Sequence, residues 1–595
     1  MTLSTLDWII IGAFFALSLI IGIASSKKAG SSVSEFFLSG RNMPWWLLGV
    51  SMVATTFSAD TPNLVTDLVR TNGVAGNWGW WAFLLTGMLT VFVYAKLWRR
   101  SGVLTDVEFY ELRYSGKAAT FLRGFRALYL GLIFNVVVMG AVSLAAVKFG
   151  EVMLGIPGWI TLLIAGSITL VYSALGGLKA VIITDFVQFV IAMIGSIWAC
   201  IYLINLPEVG GLSNLLANDL VSSRIRLLPD MSNPDIWIPV LIVPLAVQWW
   251  ASYYPGSEPG GGGYIAQRMF SAKNERHAIG ATFLYNAAHY ALRPWPWILI
   301  ALASLVVFPE LDDLQTAFPA LSADKLGHDV AYPAMLTLLP KGLLGLVAAS
   351  LIAAFMSTMS TQLNLGASYL VNDFYQRFIR PDASQKHLVW AGRLFTVVST
   401  ILGLGLGLLL TSAGQAFQLL LLLGAGTGLI YILRWFWWRI NAWTEIVAMI
   451  SSMIIASYFT FVHDQLGFLP LADWQKLVLG AILTTLTWVL ATYFTPLTDD
   501  ATLRDFYRRI RPGGNGWDPV LEKAAAEGDP IKKEQGQLPL EILSMVIACI
   551  TVYAALFATG NWIYTNTATA LLLTAITAFG AVFLFWVRNR LKTDS

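Results

Sequence analysis

Residues 51–66 read SMVATTFSADTPNLVT: an apolar segment of helical character runs into Ser58-Ala59-Asp60-Thr61-Pro62-Asn63. The stretch lies within an apolar run spanning about 45–70, long enough to cross the roughly 30 Å hydrocarbon core of a bilayer. A proline and an acid at mid-membrane depth are costly unless they line a protected cavity. A plain proline kink is the bland reading, but Asp60 beside the proline then needs a separate explanation. A second interruption follows far along the chain: Tyr254-Pro255-Gly256-Ser257-Glu258-Pro259, then four glycines, Gly260 to Gly263. No continuous helix survives that composition, although an inner loop that ends the helix would also accommodate it. Unwound backbone frees carbonyls that hold a small cation and exposes helix N-termini that attract anions.

Around these two breaks the chain is apolar almost throughout. Of 595 residues, 56% are hydrophobic and 12% charged, against about 25% charged in a soluble domain. The apolar residues come in about fifteen runs of membrane-spanning character. They lie near 6–24, 45–70, 77–98, 125–152, 158–175, 180–205, 236–256, 280–308, 331–372, 388–410, 415–434, 443–463, 473–495, 541–558 and 563–587. The run from 331 is too long for one crossing and is expected to begin as an interfacial segment. The first run has no basic flank or small-residue cleavage site and reads as a retained helix. Cys200 and Cys549 sit in apolar runs without metal-ligand spacing and read as core residues.

With the N-terminus outside, the inner loops collect most of the 38 Lys and Arg, among them Arg99, Arg100, Arg113, Arg123, Arg126, Arg268, Lys273, Arg377 and Arg434. Few fall outside, such as Arg70, Arg224 and Lys341. That asymmetry supports both the span count and the orientation. The acidic residues Glu310, Asp312, Asp313, Asp324 and Asp329 read as a solvated outer loop in preference to a cation attractor. The polar segment 496–540 reads as a cytoplasmic connector, part helical near 503–510. No phosphate-binding loop is present, which argues against an ATP-driven pump; no enzymatic activity is expected. The breaks fall in the second and seventh spans, an odd number of helices apart. Two units of opposite orientation are therefore expected, with a binding site near the midplane.

The run near 357 carries Ser357-Thr358-Met359-Ser360-Thr361-Gln362-Leu363-Asn364. Ser357, Thr361, Asn364 and Ser368 share one helical face, and Thr358 flanks it. Hydroxyls bonding back to their own helix would explain the stripe locally. Beside an unwound neighbour, the same hydroxyls suit sodium, a hard cation that needs several oxygens.

Three further motifs complete a pattern: Glu35-Phe36-Phe37-Leu38-Ser39-Gly40-Arg41 with Pro44-Trp45-Trp46; Gly176-Gly177-Leu178-Lys179-Ala180-Val181 with Thr184-Asp185 and Gln188; and Gln267-Arg268 with Ala272-Lys273. With Ala354, Ser357, Thr358 and Asp373-Phe374-Tyr375, the chain resembles the sodium:solute symporter family from about residue 6 to about residue 435. The resemblance implies an all-α, LeuT-type core of two inverted five-helix repeats after one leading helix. Residues 1–43 would be the leading helix and inner loop, 44–205 the first repeat and 236–435 the second. Peripheral helices at 436–495, the connector at 496–540 and C-terminal helices at 541–595 would follow. The implied sodium site takes hydroxyls from Ser357 and Thr358 and carbonyls from Ala354, Ser58 and Thr61. Asp185, Ser360 and Thr361 match the second sodium site of some members, with a structural cap as the alternative role for Asp185.

For the solute, the resemblance aligns Tyr254 with the tyrosine that closes the sugar pocket from inside. The family's sugar-binding glutamine, glutamate, asparagine and lysine have no counterparts. Arg293, embedded in Leu292-Arg293-Pro294-Trp295-Pro296-Trp297, is distinctive instead and suits a carboxylate or sugar hydroxyls; an ion pair with Asp60 or Glu258 is the competing role. Asp60 and Asn63 at the first break complete the candidate solute contacts. The tryptophans at 249–250 and 435–438 suit sugar stacking or, for the second group, an interfacial belt.

The expected function is sodium-coupled import of a sugar-like or carboxylate-bearing solute by alternating access, at a bacterial inner membrane. Sodium is the coupling ion. No other cofactor, nucleic acid or obligatory protein partner is implied. A proton-coupled variant and a membrane sensor are the alternatives, and the short tail after the last span disfavours the sensor.

Overall fold

The computed structural model describes residues 3–56, 58, 61–151, 156–250, 258–319, 326–410, 427–534, 536–588 and 590–591. Helices dominate; among the described residues the only extended pairing is a single bridge between Met43 and Ala272. The leading helix α1 covers Thr5–Ala29. The next span comes in two pieces, α2 (Trp45–Thr56) and α3 (Thr61–Asn72). It is followed by α4 (Val74–Ser101) and α5 (Gly116–Val147). Helix α6 runs Gly158–Ile204, with non-helical backbone at Gly177 (φ 54°, ψ −160°). A straight helix of that length would be about 70 Å long, more than twice the bilayer, so the sharp bend is what turns it into two crossings. A β-carbon at Gly177 would lie 2.6 Å from the Phe36 carbonyl oxygen, which is why glycine stands there.

The second broken region comprises α7 (Pro234–Trp250) and α8 (Gly263–Ser271). Next come α9 (Glu275–Val307), α10 (Leu343–Ile379) and α11 (Gln385–Leu409). Residues 427–433 are helical; the rest of the span expected at 415–434 lies outside the described residues. Then follow α12 (Ala442–Val462), α13 (Asp473–Phe494), α14 (Asp500–Ile510), α15 (Asp518–Ala526), α16 (Leu538–Ile563) and α17 (Thr567–Arg588). Eleven helices among the described residues are long and apolar enough to cross a membrane. Helix α10 is the most enclosed of them, with 89% of its apolar window buried against 17% for α17. It packs against α6, α11, α5, α2 and α1. The polar stripe therefore lies at the protein's centre, and α17 presents Phe579, Val582 and Phe585 outward as a lipid-facing surface.

Three expectations are refined. The overlong run from 331 is divided: a short helix ends at Leu336, and α10 starts after Gly342, whose φ is 86°. The Asp7 carboxylate on α1 accepts the backbone N–H groups of Gly342 (2.7 Å) and Gly345 (2.8 Å), capping that start. The connector is a docked pair of helices, α14 and α15, and only the first was expected. Its Trp517 is fully buried, stacks on Phe506 (5.3 Å) and donates to the Trp435 carbonyl (2.8 Å). Finally, Trp435 forms no interfacial belt. It is fully buried against Phe109 (4.5 Å) and Trp98 (4.7 Å).

Candidate functional site

Helix α2 ends at Thr56 and helix α3 begins at Thr61, whose N–H bonds to the Ser58 carbonyl at 3.1 Å. Carbonyls in the last turn before a break have no intrahelical partner. Here one of them is met from the side: the Thr358 hydroxyl of α10 donates to the Thr55 carbonyl at 3.1 Å. On the same turn of α10, the Ser357 hydroxyl donates to Asp185 of α6 at 2.7 Å. Ser51, one turn before Thr55 on α2, donates to the other oxygen of Asp185 at 2.5 Å. Thr55 and Thr361 share a hydroxyl contact of 3.2 Å. Asp185, Ser357, Thr358, Thr361 and Ala354 are all buried.

Of the polar stripe, Ser357, Thr361 and Asn364 reach neighbouring helices. Asn364 accepts from Gln267 of α8 at 2.9 Å. Ser368 instead bonds back to the Leu365 carbonyl, and Ser360 bonds back to the Ser357 carbonyl. Arg268 of α8 enters the same cluster, fully buried. It donates to Thr361 (2.7 Å), Ser51 (3.2 Å), Thr55 (3.4 Å) and Asp185 (3.5 Å). The sequence offered the Ser58 and Thr61 carbonyls as the α2–α3 contributors, and the Ser58 carbonyl accepts the Thr61 N–H. The Ser58 hydroxyl is buried without a hydrogen-bond partner among the described residues, and the Thr61 hydroxyl donates back to the Thr56 carbonyl at 3.4 Å. Sequence reasoning missed Thr55 and Ser51. Their signal was spacing: they stand one turn apart on the final turns before the break.

A second polar group stands beside the break on α9. His289, Arg293 and Trp297 repeat every four residues on one face. His289 Nδ1 lies 3.2 Å from the Thr56 hydroxyl. Arg293 donates to that hydroxyl and to the Val53 carbonyl, both at 3.4 Å, and lies 5.1 Å from the centre of the Trp297 ring. Trp80 of α4 meets the His289 ring edge-on at 5.5 Å and stacks with Tyr290 at 5.7 Å. Buried oxygens of Asn63 on α3 and Asn286 on α9 have no hydrogen-bond partner among the described residues. Asp60 and Tyr254 lie outside the described residues. Glu258 is not the counter-ion of Arg293; its carboxylate pairs with Arg126 of α5 at 2.7 Å.

That pair belongs to a buried network on the side that carries the connector. Arg126 also donates to Tyr431 (2.9 Å), Tyr114 donates to Glu445 (2.6 Å), and Arg434 lies 3.5 Å from Glu445. The α8 N-terminus is capped by a carboxylate of the protein itself: Asp106 accepts from the Gly263 N–H at 2.8 Å and from Tyr369 at 2.6 Å. Gly260 and Gly261, at φ 85° and 82°, lie against Tyr94 and Thr90 of α4. Nearby, outside the spans, burial pushes the Glu111 carboxyl up. Hydrogen bonds from Arg377, Arg123 and Thr120 outweigh it and hold the group below its ordinary value.

Thus the two broken regions, the hydroxyl face of α10 and the buried acid of α6 converge on one cluster. A model of the sodium:solute symporter family matches residues 36–454. The sodium/glucose cotransporter of Vibrio parahaemolyticus is 27% identical over 518 residues, covering 84% of this chain and 92% of that protein. The sodium/mannose cotransporter of Bos taurus is 27% identical over 421 residues, covering 67% and 68%. Among solved structures, a substrate-bound, outward-open Na+-coupled sialic acid symporter superposes with a TM-score of 0.65 at 20% identity, covering 83% of this chain and 99% of that one.

Proposed function

Because the chain belongs to the sodium:solute symporter family, with a LeuT-type helical core, we propose that it imports a sugar-like or carboxylate-bearing solute through the cluster between α2, α6, α8, α9 and α10. It is an integral membrane protein, and it couples solute entry to sodium. The finer reading is that one sodium binds among the Ser357 and Thr358 hydroxyls, the Ala354 carbonyl and carbonyls of the α2 break near Thr55, Ser58 and Thr61. The observation that carries it is the Thr358 hydroxyl resting on the Thr55 carbonyl at 3.1 Å, with Ser357 beside it. Two hydroxyls and the carbonyls of an interrupted helix make a dry oxygen cage that matches a hard cation.

The solute would lie next to that cage, contacting Asn63, Arg293, His289 and Trp80, with Asp60 and Tyr254 completing the walls. Arg293 suits a carboxylate or paired sugar hydroxyls. The relatives' sugars favour a polyhydroxylated ring. Residues 44–205 and 236–435 would be the two repeats that rock against each other. The basic inner face favours a bacterial inner membrane with the N-terminus outside. Each sodium carried inward then gains about 2.3 kcal/mol per 100 mV of membrane potential.

Uptake into proteoliposomes of radiolabelled glucose, mannose, myo-inositol and sialic acid tests this, with sodium against choline or lithium. Sodium-stimulated uptake of at least one solute is expected. A lost buried hydrogen-bonding group costs about 1–3 kcal/mol. The double variant S357A/T358A should therefore lose sodium stimulation while keeping a monodisperse elution profile. Unchanged sodium dependence in that variant would rule out the site.

A further inference from the structure

Arg70 stands on the last turn of α3, only 2% exposed, with every guanidinium nitrogen engaged. Nη1 donates to the carbonyl (2.9 Å) and hydroxyl (3.1 Å) of Ser304 at the end of α9. Nη2 donates to the Phe308 and Pro309 carbonyls at 2.8 and 3.3 Å. Nε donates to Nδ1 of His328 at 3.3 Å. Leu314, Ala331 and Ala334 are buried together against Phe308, Phe318 and Leu326, so the segments that carry Phe308 and His328 form one packed unit between α9 and α10. A single side chain thus fastens α3, the second half of the broken span, to that unit. Helix α3 ends where α4 begins, and the other end of α4 packs on the connector. The fastening therefore lies on the opposite face. We propose that Arg70 and His328 form a proton-released latch, so that the face opposite the connector opens as the pH falls. This rests on the reading above that the two repeats rock against each other, but on neither the sodium site nor the identity of the solute.

An imidazole accepts at Nδ1 only when it is neutral, with its proton on Nε2, whereas a guanidinium stays protonated. The bond from Arg70 Nε therefore requires a neutral His328. A further proton removes the acceptor and sets two cations at hydrogen-bonding distance. The surrounding charges are mixed. Arg224, whose guanidinium donates to the Arg70 carbonyl, adds a positive one. Asp67 on α3, Asp329 on the same turn as His328, and Glu310 and Asp313 beside Arg70 add negative ones. Burial, and then the Arg70 charge, hold the His328 imidazole below its ordinary value against the pull of Asp67 and Asp329. A histidine depressed in the latched state favours that state while it is neutral. Once released, it returns toward its ordinary value of about 6.5. The latch is therefore at full strength above about pH 6.5 and weakens as the pH falls from there through the depressed value.

Both native cysteines are buried, so spin labels can be directed to the exposed positions Thr71 on α3 and Thr316 on the packed unit. Purified full-length T71C/T316C protein in lipid nanodiscs is measured by pulsed electron resonance from about pH 8 to about pH 5, a range that spans histidine titration, without sodium or solute. A longer label separation should gain population several-fold toward the acid end. Adding H328Q keeps an acceptor that does not titrate; it should abolish the pH response and leave the short separation. Adding R70Q removes the latch, and the long separation should dominate at every pH. Separations that do not respond to pH in the parent protein would overturn the proposal. So would an H328Q protein that keeps the response, or a monodisperse R70Q protein that keeps the short separation. If R70Q does not fold, the parent and H328Q decide between them. With neither ion nor solute present, failure here leaves the sodium-coupled reading standing, and failure of the uptake assay leaves the latch standing.

Discussion

At the scale of single residues, a hydroxyl's importance follows from where its bond goes. Thr358 and Ser360 are two residues apart on α10 and both buried, yet Thr358 donates across to α2 whereas Ser360 bonds within its own helix. A hydroxyl spent on its own helix contributes little to a site between helices. T358V should therefore weaken sodium activation about ten-fold or more, the cost of one lost polar contact of about 1–3 kcal/mol. S360A should shift it less than about three-fold, since a bond within one helix nets only a few tenths of a kcal/mol to about 1 kcal/mol. Sodium-activation curves for the two variants check this, and equal effects would contradict the assignment. The stripe itself was legible as spacing. Its division into outward-reaching and self-bonded hydroxyls was not, because a helical wheel gives direction and not what stands opposite.

At the scale of elements, the second break is tied to its neighbours on the connector side by an ion pair and a carboxylate cap. Glu258 follows the α7 break and pairs with Arg126 of α5, while Asp106 caps the start of α8. Removing one partner of a buried ion pair leaves a bare charge and costs about 3–5 kcal/mol. In a transporter that exchanges between states, this cost falls on the conformation in which the pair is formed. E258Q should thus favour opening of that face. Hydrogen exchange across α8 should accelerate at least ten-fold relative to wild type, and unchanged exchange would show that the pair does not hold the closure. The glycines after Glu258 read in sequence as a possible loop end. Their role is close packing of unwound backbone against Tyr94 and Thr90, which depends on α4 and leaves no local trace.

At the scale of the whole molecule, α10 lies at the centre, α1 and α17 face lipid, and the connector seals one end. Trp517 anchors that seal through Phe506, the Trp435 carbonyl and the Arg113 guanidinium, 4.8 Å from its ring. Truncating a fully buried tryptophan costs about 3–5 kcal/mol, more than an isolated pair of short helices can offset. W517A should release α14 and α15 without unfolding the membrane core. Limited trypsin digestion should then cut at Arg504 and Arg508 several-fold faster, while the core fragment persists. Cleavage no faster than in wild type would show that the pair is held by other contacts.

The sequence by itself determined the membrane class, both helix breaks and the hydroxyl face of α10. These are properties of composition and of periodicity along a single helix, which bilayer thickness and helical geometry translate directly into structure. The tertiary structure alone decided that Thr358 meets the Thr55 carbonyl, that Glu258 pairs with Arg126 and not Arg293, and that Arg268 stands between Asp185 and Thr361. Those partners are separated by dozens to hundreds of residues. Which of them touch depends on the rotation and bending of packed helices, and unwound backbone carries no periodicity from which to read either.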